Sequence, residues 1–113
     1  VAAEPANAHA NYDLGKSEQQ LDNAREAAAA YERAIAVNER FDAAHYRRGV
    51  VAETLCDPKE ADRYYRKAIT INPRFAKAFA KLGLLYLNHE YPKLAGEVLS
   101  EGVRINDSEG TRN

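Results

Sequence analysis

The chain has 113 residues, 45% of them hydrophobic and 29% charged, with 16 Lys or Arg against 17 Asp or Glu for a net charge of −1. That balance argues against a nucleic-acid binder working through a global basic field, and no apolar run approaches the roughly 18 residues a membrane span needs. The single cysteine, Cys56, rules out an internal disulfide or a multi-cysteine zinc set.

Residues 1–7, with Pro5, read as an irregular lead-in. From residue 8 onward the chain repeats itself every 34 residues: Gly15, Gly49 and Gly83 form one column, Ala27, Ala61 and Ala95 another, and Ala10, Ala44 and Ala78 a third. Ile35, Ile69 and Val103, then Asn38, Asn72 and Asn106, keep the same spacing, giving ungapped units at 8–41, 42–75 and 76–109 and a tail at 110–113. Within each unit the apolar and small residues recur at offsets of three and four, the spacing of one helix face. The first helices are predicted near 8–21, 42–55 and 76–89, and the second near 24–37, 58–71 and 92–105. Pro58 and Pro92 fall in the first turn of a second helix, where a missing N–H costs nothing, and Asp57 precedes Pro58 as an N-cap. Pro73 stops the second helix of unit two. Alanine supplies 21 residues, and so small a side chain stabilises a core only where backbones approach closely. The glycines of the first helices are expected to face the alanines Ala27, Ala61 and Ala95 of the second, with Tyr31, Tyr65 and Leu99 filling the space beside them. One such unit cannot bury its apolar face alone, so neighbours must stack.

These columns resemble the tetratricopeptide repeat, whose pattern runs W-x2-L-G-x2-Y, then A-x3-F/Y, A and P. Unit three carries it as Phe79, Leu82, Gly83, Tyr86, Ala95, Leu99 and Gly102. Unit two carries His45, Arg48, Gly49, Ala52, Ala61, Tyr65, Ala68 and Pro73, and unit one Asn11, Leu14, Gly15, Glu18, Ala27, Tyr31 and Ala34. Asn11 and His45 at the large aromatic position, Arg48 at the leucine position and Glu18 at the tyrosine position depart from the pattern and predict a looser first pair. Gly102 in place of the last alanine weakens the last helix. The resemblance implies an all-α fold, a right-handed superhelical solenoid of three antiparallel helix pairs. It also implies a non-enzymatic protein interaction module whose first helices line a concave groove for a peptide, with no cofactor.

The groove positions of that family fall here on Tyr12, Lys16, Tyr46, Arg47, Val50, Lys77, Lys81, Leu84 and Asn88, with His9, Asp13, Gln19, Gln20, Ala43, Glu53, Thr54, Ala80 and Leu87 around them. Lys16, Arg47, Lys77 and Lys81 outnumber Asp13 and Glu53, so an acidic segment or a free C-terminal carboxylate is the expected ligand, with Tyr12, Tyr46, Leu84 and Leu87 supplying apolar contact. The carboxylate clamp of chaperone-binding members resembles Lys, Asn, Asn, Lys and Arg where this chain has Tyr12, Lys16, Arg47, Lys77 and Lys81. Lys77 agrees and Lys81 keeps the charge, but both amides are gone.

A second expectation comes from the end of the array. No polar capping helix follows Ile105, so Leu85, Leu87, Val98, Leu99 and Val103 are expected to form an apolar face through which copies could stack into homo-oligomers. His9, His45 and His89 lack metal-ligand spacing and read as packing or surface residues, and Cys56 lacks an activating histidine. No nucleophile, phosphate or dinucleotide motif occurs, and neither nucleic acid nor direct membrane insertion is expected. Because the sequence opens on Val1 and contains no Met, it reads as a processed product or an excerpt of a longer chain, with a cytoplasmic setting favoured.

Overall fold

The computed structural model describes residues 5–88, 99, 101–102 and 104–105. Five helices occupy the first of these ranges: α1 (Pro5–Gln20), α2 (Ala24–Val37), α3 (Asp42–Thr54), α4 (Pro58–Ile71) and α5 (Ala76–Asn88). Leu99, Glu101, Gly102, Arg104 and Ile105 are also helical, inside the span predicted for a sixth. Residues 92–98 of that span lie outside the described residues. The chain is an all-α solenoid in which α1 packs on α2, α2 on α3, α3 on α4 and α4 on α5.

Helix α1 starts at Pro5, within the expected lead-in. Proline is well placed there because its fixed φ matches the first helical turn and its missing N–H would be unpaired in any case. Helices α1 and α3 end alike. Asp22 and Cys56, 34 residues apart, take left-handed φ values of 61° and 59°. The next N–H then turns back, Asn23 to the Glu18 carbonyl and Asp57 to the Ala52 carbonyl, each at 2.8 Å. This closure satisfies carbonyls a helix end leaves unpaired. Asp57 is also the N-cap of α4, its carboxylate accepting from the Glu60 N–H at 3.2 Å with Pro58 following. Truncating Asp57→Ala is expected to cost about 1 kcal/mol of unfolding free energy, read from the urea midpoint by circular dichroism.

The links between units are copies as well. Asn38 and Asn72 each accept, through the side-chain oxygen, the N–H two residues on, from Arg40 at 3.2 Å and Arg74 at 3.1 Å. Their carbonyls take the N–H of Phe41 and Phe75, both at 3.1 Å. Asparagine suits this place because its short amide closes a local turn that a helix cannot continue.

Two apolar clusters lie along the axis. Ala27, Ala28, Tyr31 and Val51 join α2 to α3, and Ala52, Ala61, Tyr65, Leu82, Leu85 and Tyr86 join α3, α4 and α5. Tyr31, Tyr65 and Val51 are the largest side chains fully shut off from water. The expected pairing of glycine with alanine is corrected by the position of these rings. A Cβ added at Gly15 would stand 2.5 Å from Tyr31 Cε1, and one at Gly49 would stand 2.5 Å from Tyr65 Cε1. The glycines clear room for a phenol ring. Polar ties reinforce the stacking. Tyr86 donates to Asp62 Oδ1 at 2.6 Å and accepts from Arg66, while Arg48 pairs with Glu32 at 3.0 Å and lies over the Tyr64 ring at 4.8 Å. At the leucine position, therefore, Arg48 binds α3 to both α2 and α4 through its guanidinium and its stem.

Candidate functional site

The first helices α1, α3 and α5 carry the predicted groove positions in one register, 34 residues apart. Tyr12 is half-buried, its ring 4.9 Å from Phe41 and 5.8 Å from Tyr31, with the Lys16 ammonium 5.4 Å above it. Tyr46 repeats the arrangement at 5.1 Å from Phe75 and 6.0 Å from Tyr65. Each wall is thus three aromatic rings deep, in the offset and tilted geometries that such rings prefer. In unit three the first place is held by Ala80, so the wall ends there.

Beneath each wall a phenol is tied to the first helix. Tyr31 donates to Gln19 Oε1 and Tyr65 donates to Glu53 Oε2. Burial pushes the Tyr31 phenol up to about 12, against the lowering pull of the Arg47 charge. It raises Tyr46 too, where Arg47 again opposes. Burial and the Glu53 carboxylate together push Tyr65 well above the usual phenol range. Arg47 therefore sits close enough to the floor of unit one and the wall of unit two to act on both. It is half-buried and makes no hydrogen bond or ion pair among the described residues.

The remaining predicted residues divide. Val50 is half-buried against the α3–α5 core, and Lys81 is half-buried. Lys77, Leu84 and Asn88 are exposed. With Lys81, these three lie at i, i+4, i+7 and i+11, one stripe of α5. Of the expected outer apolar face, Leu87 is 51% exposed and Leu99 half-buried, whereas Leu85 is only 4% exposed. Leu85 occupies the register position of Val51, which in α3 points at the preceding second helix, and it does the same against Tyr65 and Leu82. Its assignment to an outer face is corrected accordingly; Val98 and Val103 lie outside the described residues. His45 is buried and His9 is exposed beside Phe41 at 5.6 Å, while His89 lies outside the described residues.

Phe41 and Phe75 are wall residues that sequence reasoning missed. Their signal was present: both close a unit, 34 residues apart, directly before a first helix. A cavity of about 310 Å³ opens where α3, α4 and α5 meet, lined by Glu53, Cys56, Asp57, Pro58, Leu85 and Asn88. No described helix is long and apolar enough to cross a membrane.

Stacked antiparallel helix pairs with an aromatic-walled groove along the first helices define a helical repeat protein built for contact with other polypeptides. Two family models described as tetratricopeptide repeat match residues 8–41 and 43–75, more than half of the chain, and the chain belongs to that family. Tetratricopeptide repeats are a non-enzymatic fold for protein–protein interaction. No curated protein sequence matches the chain. Among solved structures, a crystal structure of MamA superposes with a TM-score of 0.91 at 27% identity, over 96% of this chain and 63% of that one. A second MamA structure gives 0.84 at 28% identity, over 92% and 57%. This chain thus spans about three-fifths of the length of the MamA chains it matches. The second tetratricopeptide domain of Spaghetti (RPAP3), bound to the HSP90 peptide SRMEEVD, shares the fold with a TM-score of 0.85 at 19% identity, over 89% of this chain and 94% of that one.

Proposed function

We propose that the groove of α1, α3 and α5 binds a peptide segment bearing carboxylates, acidic side chains or a free C terminus. The observation that carries this reading is Arg47: a half-buried guanidinium between Tyr31 and Tyr46, with no anion beside it among the described residues. Such a group has already lost part of its hydration, and a planar carboxylate satisfies it with paired, charge-assisted hydrogen bonds. Lys77 and Lys81 extend the positive edge along α5, while Tyr12, Tyr46 and Leu84 offer apolar surface to the side chains between. The solved Spaghetti domains of this fold, bound to a peptide with three acidic residues, support the reading by analogy of architecture alone. A groove this small holds its ligand at roughly micromolar strength, about −8 kcal/mol.

The test is calorimetric titration with acidic heptapeptides, with free and with amidated C termini, against their Gln and Asn counterparts. The acidic set is expected to bind and the amide set to bind about tenfold or more weakly. Arg47→Glu, and Lys77→Glu with Lys81→Glu, should each weaken the acidic peptides by a similar factor, the loss of one charge-assisted contact. Equal affinity of wild type and both reversals for every acidic peptide would retire the reading.

A second reading is self-association through the α5 edge, favoured by Leu84 and Leu87, each about half exposed. Light scattering across a concentration series tests it, and a monomer at the highest concentration removes it.

A further inference from the structure

The turn at residues 38–41 and the turn at residues 72–75 are structural copies, but different side chains hold them. In both, the phenylalanine that closes the turn donates to the asparagine carbonyl at 3.1 Å. In both, its own carbonyl accepts from the two N–H groups that begin the next helix, Ala44 and His45 in one case, Ala78 and Phe79 in the other, at 3.1 and 3.2 Å. The residue behind the turn is Phe79 in the second copy and His45 in the first. His45 is 3% exposed, and its Nε2 donates to the Glu39 carbonyl at 3.0 Å, so the neutral ring carries its proton there. Its Nδ1 is buried with no hydrogen-bond partner among the described residues.

We propose that His45 is an acid-released latch on the 38–41 turn, which carries Phe41 and with it the first aromatic wall of the groove. A second proton on the ring would go to Nδ1, in a place with no acceptor. The charges around that place are mostly of the wrong sign. Arg48, on α3, lies over Tyr64, on which the His45 ring also packs at 6.0 Å; Arg63 of α4 lies over the same ring at 4.6 Å, and Lys67 of α4 adds a third cation. The Arg48 guanidinium itself keeps one buried nitrogen without a partner, its other side being paired with Glu32 of α2. Asp42 and the Glu39 carbonyl favour the charged ring, but burial and the cations outweigh them and hold the imidazole below its ordinary range. A protonated His45 is therefore stable only in water. Reaching water breaks its one side-chain bond to the turn, and Phe41 loses the support that seats it against Tyr12 and His9.

Since the folded state disfavours the proton, closure is complete above the ordinary histidine pKa of about 6.5 and weakens as pH falls below it, by at most about tenfold per pH unit for one proton. The effect of the latch on ligand capture rests on the peptide reading above, whereas the latch itself concerns the wall and is tested without a ligand. The measurement is amide hydrogen exchange by NMR at pH 7 and pH 5, expressed as protection factors corrected for intrinsic rates. Phe41 and Ala44 are expected to lose about tenfold or more protection relative to Phe75 and Ala78, which lie in the copy without a titrating ring. His45→Gln, which keeps an amide donor for Glu39 and cannot titrate, should remove the difference, and His45→Phe should make the two turns alike. His9 also touches Phe41, so His9→Gln is the control and should leave the loss intact. An equal change in both turns, a difference that survives in His45→Gln, or its disappearance in His9→Gln would overturn the proposal.

Discussion

Tyr65→Ala is expected to abolish cooperative folding of the chain at room temperature, or to leave it only marginally folded. The Tyr65 ring is fully buried where α3, α4 and α5 meet, against Ala52, Ala61, Leu82, Leu85 and Tyr86. These neighbours are short or already engaged, and Gly49 beneath the ring has no side chain to move into the space. The cavity therefore cannot collapse, which places the loss near the upper part of the range for aromatic truncation, about 3–5 kcal/mol. A small domain has about 5–15 kcal/mol in total. Tyr65→Phe separates packing from hydrogen bonding. It keeps the ring and removes only the donor to Glu53, whose half-buried carboxylate can take water instead, so the cost should be near 1 kcal/mol. Urea titration followed by circular dichroism measures both. A loss in Tyr65→Phe as large as in Tyr65→Ala would mean that the Glu53 bond, not the ring, holds the three helices together. The same pair of variants carries a pH signature. The folded state holds the Tyr65 phenol above its ordinary value, so its contribution is intact below about pH 10 and declines as pH rises beyond it. Tyr65→Phe should lack that part of the alkaline loss, while Tyr31 and Tyr86, both pushed up to about 12, continue to contribute theirs.

The parts of this molecule legible in its sequence are those that meet the same neighbour in every unit. A residue at one place in α1 faces what its counterpart in α3 faces, so the same side chain recurs, and the period of 34 shows helices, links and the glycine and tyrosine columns together. Where the neighbours differ, the pattern breaks and the sequence cannot say what replaces it. Arg48 and His45 looked like flaws that would loosen the packing. Arg48 instead spans from Glu32 to Tyr64, and His45 reaches back to the Glu39 carbonyl, because a long cation and a ring donor find partners only once α2 and α4 are in place. Asp22 and Cys56 gave no sign of a left-handed backbone, a conformation more often marked by glycine. The groove was legible as a set of helix positions. Its depth was not, since that comes from Phe41 and Phe75, which lie in the links and swing under Tyr12 and Tyr46 only through the turn that Asn38 and Asn72 impose.

The glycine columns make the second large prediction, and here one substitution should have opposite signs at two places. Alanine is about 1 kcal/mol better than glycine in a helix interior, so Gly→Ala stabilises wherever a methyl fits. At Gly102 the nearest atoms are Phe79 Cβ at 3.2 Å and backbone atoms at 3.8 Å, and a small shift of one side chain admits the methyl. Gly102→Ala should be neutral or stabilising by a few tenths of a kcal/mol to about 1 kcal/mol. At Gly49 the methyl would stand 2.5 Å from Tyr65 Cε1 and 2.6 Å from Cδ1. That ring cannot retreat, because its far side is the α4–α5 core and its hydroxyl is tied to Glu53. Overpacking of this kind costs about 1–3 kcal/mol, enough to cancel the helix gain and reverse it, and Gly49→Val, with a branched side chain in the same space, should cost more. Unit three combines Gly83 with Leu99 where units one and two combine glycine with tyrosine, so a shorter side chain at this place is compatible with the fold. In a Tyr65→Leu background, Gly49→Ala should therefore lose most of its penalty. The coupling between the two sites, obtained from the urea midpoints of the four proteins, should be about 1 kcal/mol or more. A coupling near zero would show that the glycine serves the helix backbone rather than the ring above it.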